Sequence, residues 1–235
     1  MPRLQLLRVF CAEDGSGGNP LAVFLNGGEV PPERRQAVAS DLGLSETVFV
    51  DNRERGEIRI FTPAVELDFA GHPAVGVAWL LEGVETLRAQ AGALPVTRDD
   101  GAVFVAASPA WGMPFELEEL GSPAEVDALD GPPGGHDLVA AWAWLDEGAG
   151  TVRARVFPVR IGIAEDEATG SAATRLAAEV GREIDIRQGR GSRIRARPRM
   201  DGLVEIGGLC AADEQRDYAL ATLEARPPGT GQQPH

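Results

Sequence analysis

The sequence predicts an α/β (α+β) fold of two similar halves, each with one buried helix inside a shell of strands. Three observations carry this. Strand-like segments far outnumber helical ones. Ala74 to Leu81 and Ser171 to Val180 read as helices rich in small and apolar residues, the pattern of a helix surrounded by protein. Both are introduced by matching text: ELDFAGHPAVGVAWLLEG and AEDEATGSAATRLAAEVG each run acid, Ala or Thr, Gly, polar residue, small-residue helix and closing glycine, with Gly71 and Gly170 99 residues apart. The division this implies is 1–107 with a central helix over 72–82, and 108–225 with a central helix over 170–180. The Pro/Gly/Gln-rich tail over 226–235 is expected to be disordered.

The elements follow from local pattern. LQLLRVFCA reads as a strand, and GGNPLAVFL as a turn entering a second. PPERRQAVASDLGL reads as a helix, with prolines at its start, Ala37, Val38 and Leu42 on one face and Gly43 at its end. ETVFV places Val48 and Val50 opposite Phe49, and EIRIFTP alternates Ile58 and Ile60 with Arg59 and Phe61. Gly76 and the alanines of the first buried helix let strands approach its backbone, and Gly181 caps the second. GAVFVAA, DLVAAWAWL, VRARVFPV, EIDIRQG, SRIRARPRM and GLVEIGG complete the strands. Arg193, Arg195, Arg197 and Arg199 fall on one face of SRIRARPRM, which reads as a solvated edge strand blunted by charge and by Pro198.

Composition narrows the chemistry. The formal charge of -14 opposes binding to nucleic acid or to anionic lipid. All 22 basic residues are arginine, so no lysine can form a Schiff base or serve a P-loop. Cys11 and Cys210 are too few for a disulfide framework, and His72, His136 and His235 make no histidine-rich metal cluster. No apolar run of 18 residues occurs and the N-terminus lacks the hydrophobic region of a signal peptide, so a soluble, reducing, cytoplasmic setting is expected.

The repeated glycine turns carry the functional signal. A helix N-terminus presents unpaired N–H groups and partial positive charge, and glycine leaves those amides uncovered. Gly71-His72 and Gly170-Ser171 would each hold a carboxylate or phosphate, converging on one cleft if the halves face one another. The plainer alternative makes Asp166 and Thr169 ordinary N-caps. His72, at the mouth of a buried helix, is expected to be held neutral by the helix dipole. Crowding of Glu165, Asp166 and Glu167 is expected to raise a carboxyl pKa by mutual repulsion.

Four segments together resemble the phenazine biosynthesis PhzF-like proteins, relatives of diaminopimelate epimerase: GGNPLAVFL (17–25), LGLSETVFV (42–50), RIFTPAVELDFAGHPAVGVAWLL (59–81) and RVFPVRIGIAEDEATGSAA (155–173). The resemblance implies two halves, each a mostly antiparallel strand barrel around a central helix, with the active site between them. It implies an isomerase that uses neither cofactor nor metal, commonly a homodimer, acting on a small anionic metabolite. Glu46 matches the family's proton-moving glutamate. His72 and Asp166 match its catalytic neighbours, and Gly71, Gly170, Ser171 and Asn19 are assigned to substrate binding. Proline is usual in the family where this chain has Asp68 and Glu167, two acids expected to lie near the anion sites and weaken binding of a dianion. The chain is shorter than typical members, with the loss falling around Trp111 to Gly150. Two alternatives stand beside the isomerase: a non-catalytic binder of small molecules, and a two-thiol racemase, disfavoured because Cys11 and Cys210 are not beside the glycine turns.

Overall fold

The computed structural model describes residues 1–220; the tail expected to be disordered lies outside the described residues. In chain order the elements are β1 (Arg3–Cys11), β2 (Gly17–Phe24), α1 (Pro32–Leu42), β3 (Thr47–Asn52), β4 (Glu57–Phe61), β5 (Glu66–Leu67), α2 (Gly71–Leu80), β6 (Thr86–Ala89), β7 (Gly92–Asp99), β8 (Ala102–Ala107), β9 (Glu116–Glu119), α3 (Pro123–Asp127), β10 (Val139–Asp146), β11 (Thr151–Phe157), α4 (Gly170–Val180), β12 (Ile184–Gln188), β13 (Ser192–Pro198) and β14 (Val204–Asp217). No described helix is long and apolar enough to cross a membrane.

The strands β1-β2-β3-β4-β6-β7-β8-β14 pair in that order, and β14 returns to β1, closing an eight-strand barrel. Most pairs are antiparallel; β2–β3 and β4–β6 are the parallel ones in this ring. Inside lies α2, whose residues Gly71 to Ala78 are all buried, as its all-round apolar sequence requires. A Cβ at Gly76 would meet Leu21 and Val9 side chains at 2.5 and 2.8 Å, so glycine here is what lets the barrel wall close on the helix.

A second sheet shares two strands with the first and runs β8-β14-β13-β12-β11-β10-β9. The first part of β14, Val204 to Gly208, pairs with β8, and its later part, Leu209 to Asp217, pairs with β1. This second sheet curves around α4. Among the described residues its end strands β8 and β9 do not pair, so the wall stays open on one side. The consequence is visible in α4: Ala172, Ala173, Leu176 and Ala177 are buried, but Ala178 and Glu179 are exposed, so α4 is not enclosed on every side as α2 is.

Two local expectations need correction. In α1 the buried residues are Arg35, Val38 and Ala39, while Ala37 faces outward. Arg35 is drawn in by Asp51, whose Oδ1 accepts from its Nη2 at 2.6 Å, and by the Phe49 ring below its guanidinium. The arginine-striped β13 is not an edge: it pairs with β12 and β14, and its outward arginines are held by Asp185 and Glu205 and stacked on Phe104. Strands β6, β7 and β9 were not legible, because Pro95 and the Gln90-Ala91-Gly92 turn break the alternation in one case and an acidic run hides it in the other.

The halves meet where the two helices begin. A Cβ on Gly71 would stand 2.9 Å from Gly170 Cα, and one on Gly170 would stand 2.8 Å from Gly71 Cα. Since real Cβ contacts are not that short, both positions require glycine while the helix ends stay in contact. Gly170→Ala is therefore expected to destabilise the protein by about 1–3 kcal/mol through overpacking, read as a lowered denaturant midpoint with an unchanged slope.

Candidate active site between the halves

The N-termini of α2 and α4 open together into a cleft of about 300 Å³, at the small end of the range for metabolite sites. Neither helix has a side-chain cap: Ala70 cannot supply one, and Thr169 makes no bond to the α4 amides. The first-turn N–H groups, which have no intrahelical partners, are thus left for a ligand. The N-cap alternative for Asp166 and Thr169 does not hold, because the Thr169 hydroxyl donates to Asp166 rather than accepting from the helix. Among the described residues no arginine lines this cleft, and the two helix ends are the source of positive potential there.

Glu46, His72, Gly71, Asp166, Gly170 and Ser171 all line the cleft. Glu46 precedes β3 and reaches His72 on the first turn of α2, with Oε2 3.2 Å from Nδ1. The contact is close but makes no hydrogen bond, for Glu46 Oε2 has no bonded partner; on the far side of the ring His72 Nε2 lacks one as well. Burial pushes the Glu46 carboxyl up to about 7, against a smaller lowering by Ser45. Burial also drives His72 down to about 4, outweighing the Asp166 charge and the Pro20 carbonyl. Desolvation is thus the largest cause of a neutral His72. With His72 neutral, the Glu46–His72 contact is accordingly not an ion pair.

Asp166 is raised to about 6, first by burial and then by the charge of Glu46, with bonds from Thr169 and Asn19 and the His72 charge pulling it down. Its expected repulsion by Glu165 and Glu167 is corrected. Glu165 is engaged by Arg155, Oε2 accepting at 2.7 Å, and Glu167 accepts from Arg190 N and Ser192 Oγ, both at 2.9 Å. Glu167 is also absent from the cleft lining, so of the two added acids only Asp68 stands at the site. Sequence neighbours on an extended turn point apart, and the carboxylate that acts on Asp166 comes from the other half.

Asn19 does not line the cleft. It stands behind Asp166, with Nδ2 donating to Asp166 Oδ1 at 2.8 Å and to Ala168 O at 3.0 Å, and Oδ1 accepting from Ser45 Oγ at 3.3 Å. It ties the first half to the second and holds one oxygen of an acid that lines the cleft. The cleft walls supply residues that sequence reasoning missed: Phe69 and Trp111, in edge contact with centroids 6.2 Å apart, together with Met113, Ile161 and Ile163. Buried Gln188 was missed as well, though it had a signal: it shares the inward face of β12 with Ile184 and Ile186, a polar residue where the period-two pattern calls for an apolar one. Neither cysteine lines the cleft, which removes the geometry that a two-thiol racemase needs. Among the described residues no group of three or more His, Cys, Asp or Glu is arranged to hold a metal ion.

The buried acid has a stability signature. Between pH 4.5 and about 7 folded Glu46 keeps a proton that the unfolded chain has released, so its contribution falls as pH rises through that window. Glu46→Gln mimics the protonated form and is expected to be more stable than the parent at pH 8, by up to about 3 kcal/mol, with the difference vanishing near pH 4. Urea denaturation at the two pH values checks this.

Residues 7–119 match the family model described as phenazine biosynthesis-like protein, PhzC-PhzF. The trans-2,3-dihydro-3-hydroxyanthranilate isomerase of Pseudomonas aeruginosa is 34% identical, over 90% of this chain and 97% of that protein. The enzyme of the same name from Pseudomonas fluorescens is 33% identical, over 73% of this chain and 77% of that one. In solved structures the fold recurs in a phenazine biosynthesis PhzC/PhzF protein of Clostridium difficile, with a TM-score of 0.77 at 21% identity, covering 94% of this chain and 100% of that one. The chain belongs to the phenazine biosynthesis-like (PhzC-PhzF) family, and it is an isomerase.

Proposed function

We propose that this isomerase shifts a proton between two carbons of a small carboxylate-bearing metabolite, with Glu46 as the acid/base. The observation that carries the reading is the placement of a carboxyl with a pKa of about 7 against a neutral imidazole, beside two uncapped helix N-termini. A carboxylate of ordinary pKa is a poor base toward carbon; one desolvated to the operating pH is matched to both taking and returning a proton.

In this mechanism the substrate carboxylate lies on the amides of Gly170 and Ser171, with those of Gly71 and His72 facing it. Ionised Glu46 accepts a proton from carbon, and the bonding pair left behind moves into the conjugated system as an enolate-like charge. The helix amides hold that charge, being already oriented when it forms. The Glu46 carboxylic acid then gives its proton to a different carbon, and the enzyme returns to its starting state. Neutral His72 keeps the Glu46 proton in place between the two transfers. Asp166 accepts a hydrogen bond from the substrate or relays a proton at its far end. Phe69, Trp111 and the isoleucines exclude water from the intermediate.

The test is incubation in D₂O with a panel of small unsaturated and hydroxylated carboxylates, including the trans-2,3-dihydro-3-hydroxyanthranilate that names the relatives. Wild type is expected to incorporate deuterium at carbon and Glu46→Gln to lose this by at least about 100-fold. Full exchange by the variant would contradict the role of Glu46. Because the base form is needed to begin, kcat/KM is expected to fall about tenfold per pH unit below about pH 7, and the variant's residual activity should lack that limb.

A further inference from the structure

We propose that Gln188 is a positioning residue for Asp166, acting through the Thr169 hydroxyl. The side chain comes from the end of β12 and is 2% exposed. It spends every polar atom on one short turn. Its Nε2 donates to Asp166 O at 2.8 Å and to Thr169 Oγ1 at 2.9 Å, and its Oε1 accepts from Thr169 N at 3.1 Å. An oxygen that accepts from Gln188 has its own hydrogen left to give, and Thr169 Oγ1 gives it to Asp166 Oδ2 at 2.6 Å. Without Gln188 the hydroxyl is free to rotate and the Thr169 N–H is left buried without an acceptor.

Gln188 completes a pair. Asn19, from the first half, holds Asp166 Oδ1 and Ala168 O; Gln188, from the second, holds the backbone and hydroxyl of the same turn. Two buried carboxamides thus fix both oxygens of one carboxylate, one directly and one through a hydroxyl relay. The charged and titratable groups facing Asp166 are Glu46, from the segment before β3, and His72 on α2, while Glu165 and Glu167 are engaged elsewhere. Hydrogen bonds to the ionised form favour ionisation and offset the push from burial and from Glu46. Losing the Gln188 relay should therefore leave Asp166 protonated at a pH where the wild-type group is ionised.

The inference rests on the proposed role of Asp166 only for its effect on turnover; the positioning itself is measured without substrate. The carboxyl carbon of Asp166 in the full chain is followed by ¹³C NMR as pH is varied. In Gln188→Met its midpoint is expected to rise by about one pH unit. Thr169→Val should give the same rise, Thr169→Ser none, and the Gln188→Met/Thr169→Val pair no more than the larger single change, since both act in one chain of bonds. Deuterium exchange at pH 7 should slow in Gln188→Met and recover little as substrate is raised. A folded Gln188→Met with an unmoved midpoint would overturn the proposal, as would shifts that add in the double variant. If Gln188→Met does not fold, Thr169→Val decides: an unmoved midpoint there overturns the relay. Retained exchange in Glu46→Gln, with the Asp166 midpoint still moving, would instead sink the Glu46 mechanism and leave this inference standing.

Discussion

The contact between Gly71 and Gly170 is the constraint from which the rest of the site follows. Two helix ends can touch backbone to backbone only where neither residue has a Cβ, and here a Cβ on either would come within 3 Å of the other's Cα. That contact brings two sets of uncapped amides into one cleft. It also carries Glu46 and His72, which belong to the first half, against Asp166, which belongs to the second. Each acid is then largely screened from water and near the other, and both are raised well above the ordinary carboxyl range. The same geometry that destabilises these groups supplies the chemistry.

The two halves are not equal partners. The first barrel closes on itself and buries α2 from Gly71 to Ala78, with His72 on that helix and Glu46 just before β3. The second sheet is open, and α4 has a face in solvent. Its glycine turn is held instead by polar bonds: Asn19 from across the boundary, Gln188 from β12, and the Glu167 brace on the β12–β13 turn. A hydrogen-bonded turn can be placed as accurately as a packed one, provided that every buried polar atom finds a partner. The final strand adds to this coupling, since β14 pairs with both sheets and any separation of the halves must distort it.

Much of this could be read from the residues, and the exceptions share a cause. The paired helices and their glycine turns were legible because the second half repeats the grammar of the first, and residues 71 and 170 then predict one another. Glu46 carried no local sign; only the resemblance of the surrounding segments singled it out, because nothing about an acid after a helix reveals that it will be buried. Apart from the resemblance, the residues point to Asp166 for a mistaken reason, its crowding by Glu165 and Glu167, when the charge that matters lies 120 positions away in the chain. Asn19 was placed in the site, yet it supports an acid from behind, a distinction that depends on depth and not on sequence position. In each case the missing information is which residues of one half face those of the other.

The most direct measurement is the pH titration of the Glu46 carboxyl itself, by ¹³C NMR of the wild-type protein without ligand. Burial at the junction of the halves predicts a midpoint of about 7, lying above that of Asp166 at about 6. A midpoint near the ordinary 4.5 would mean that water reaches the carboxylate, and that this junction does not prepare Glu46 to move a proton to and from carbon.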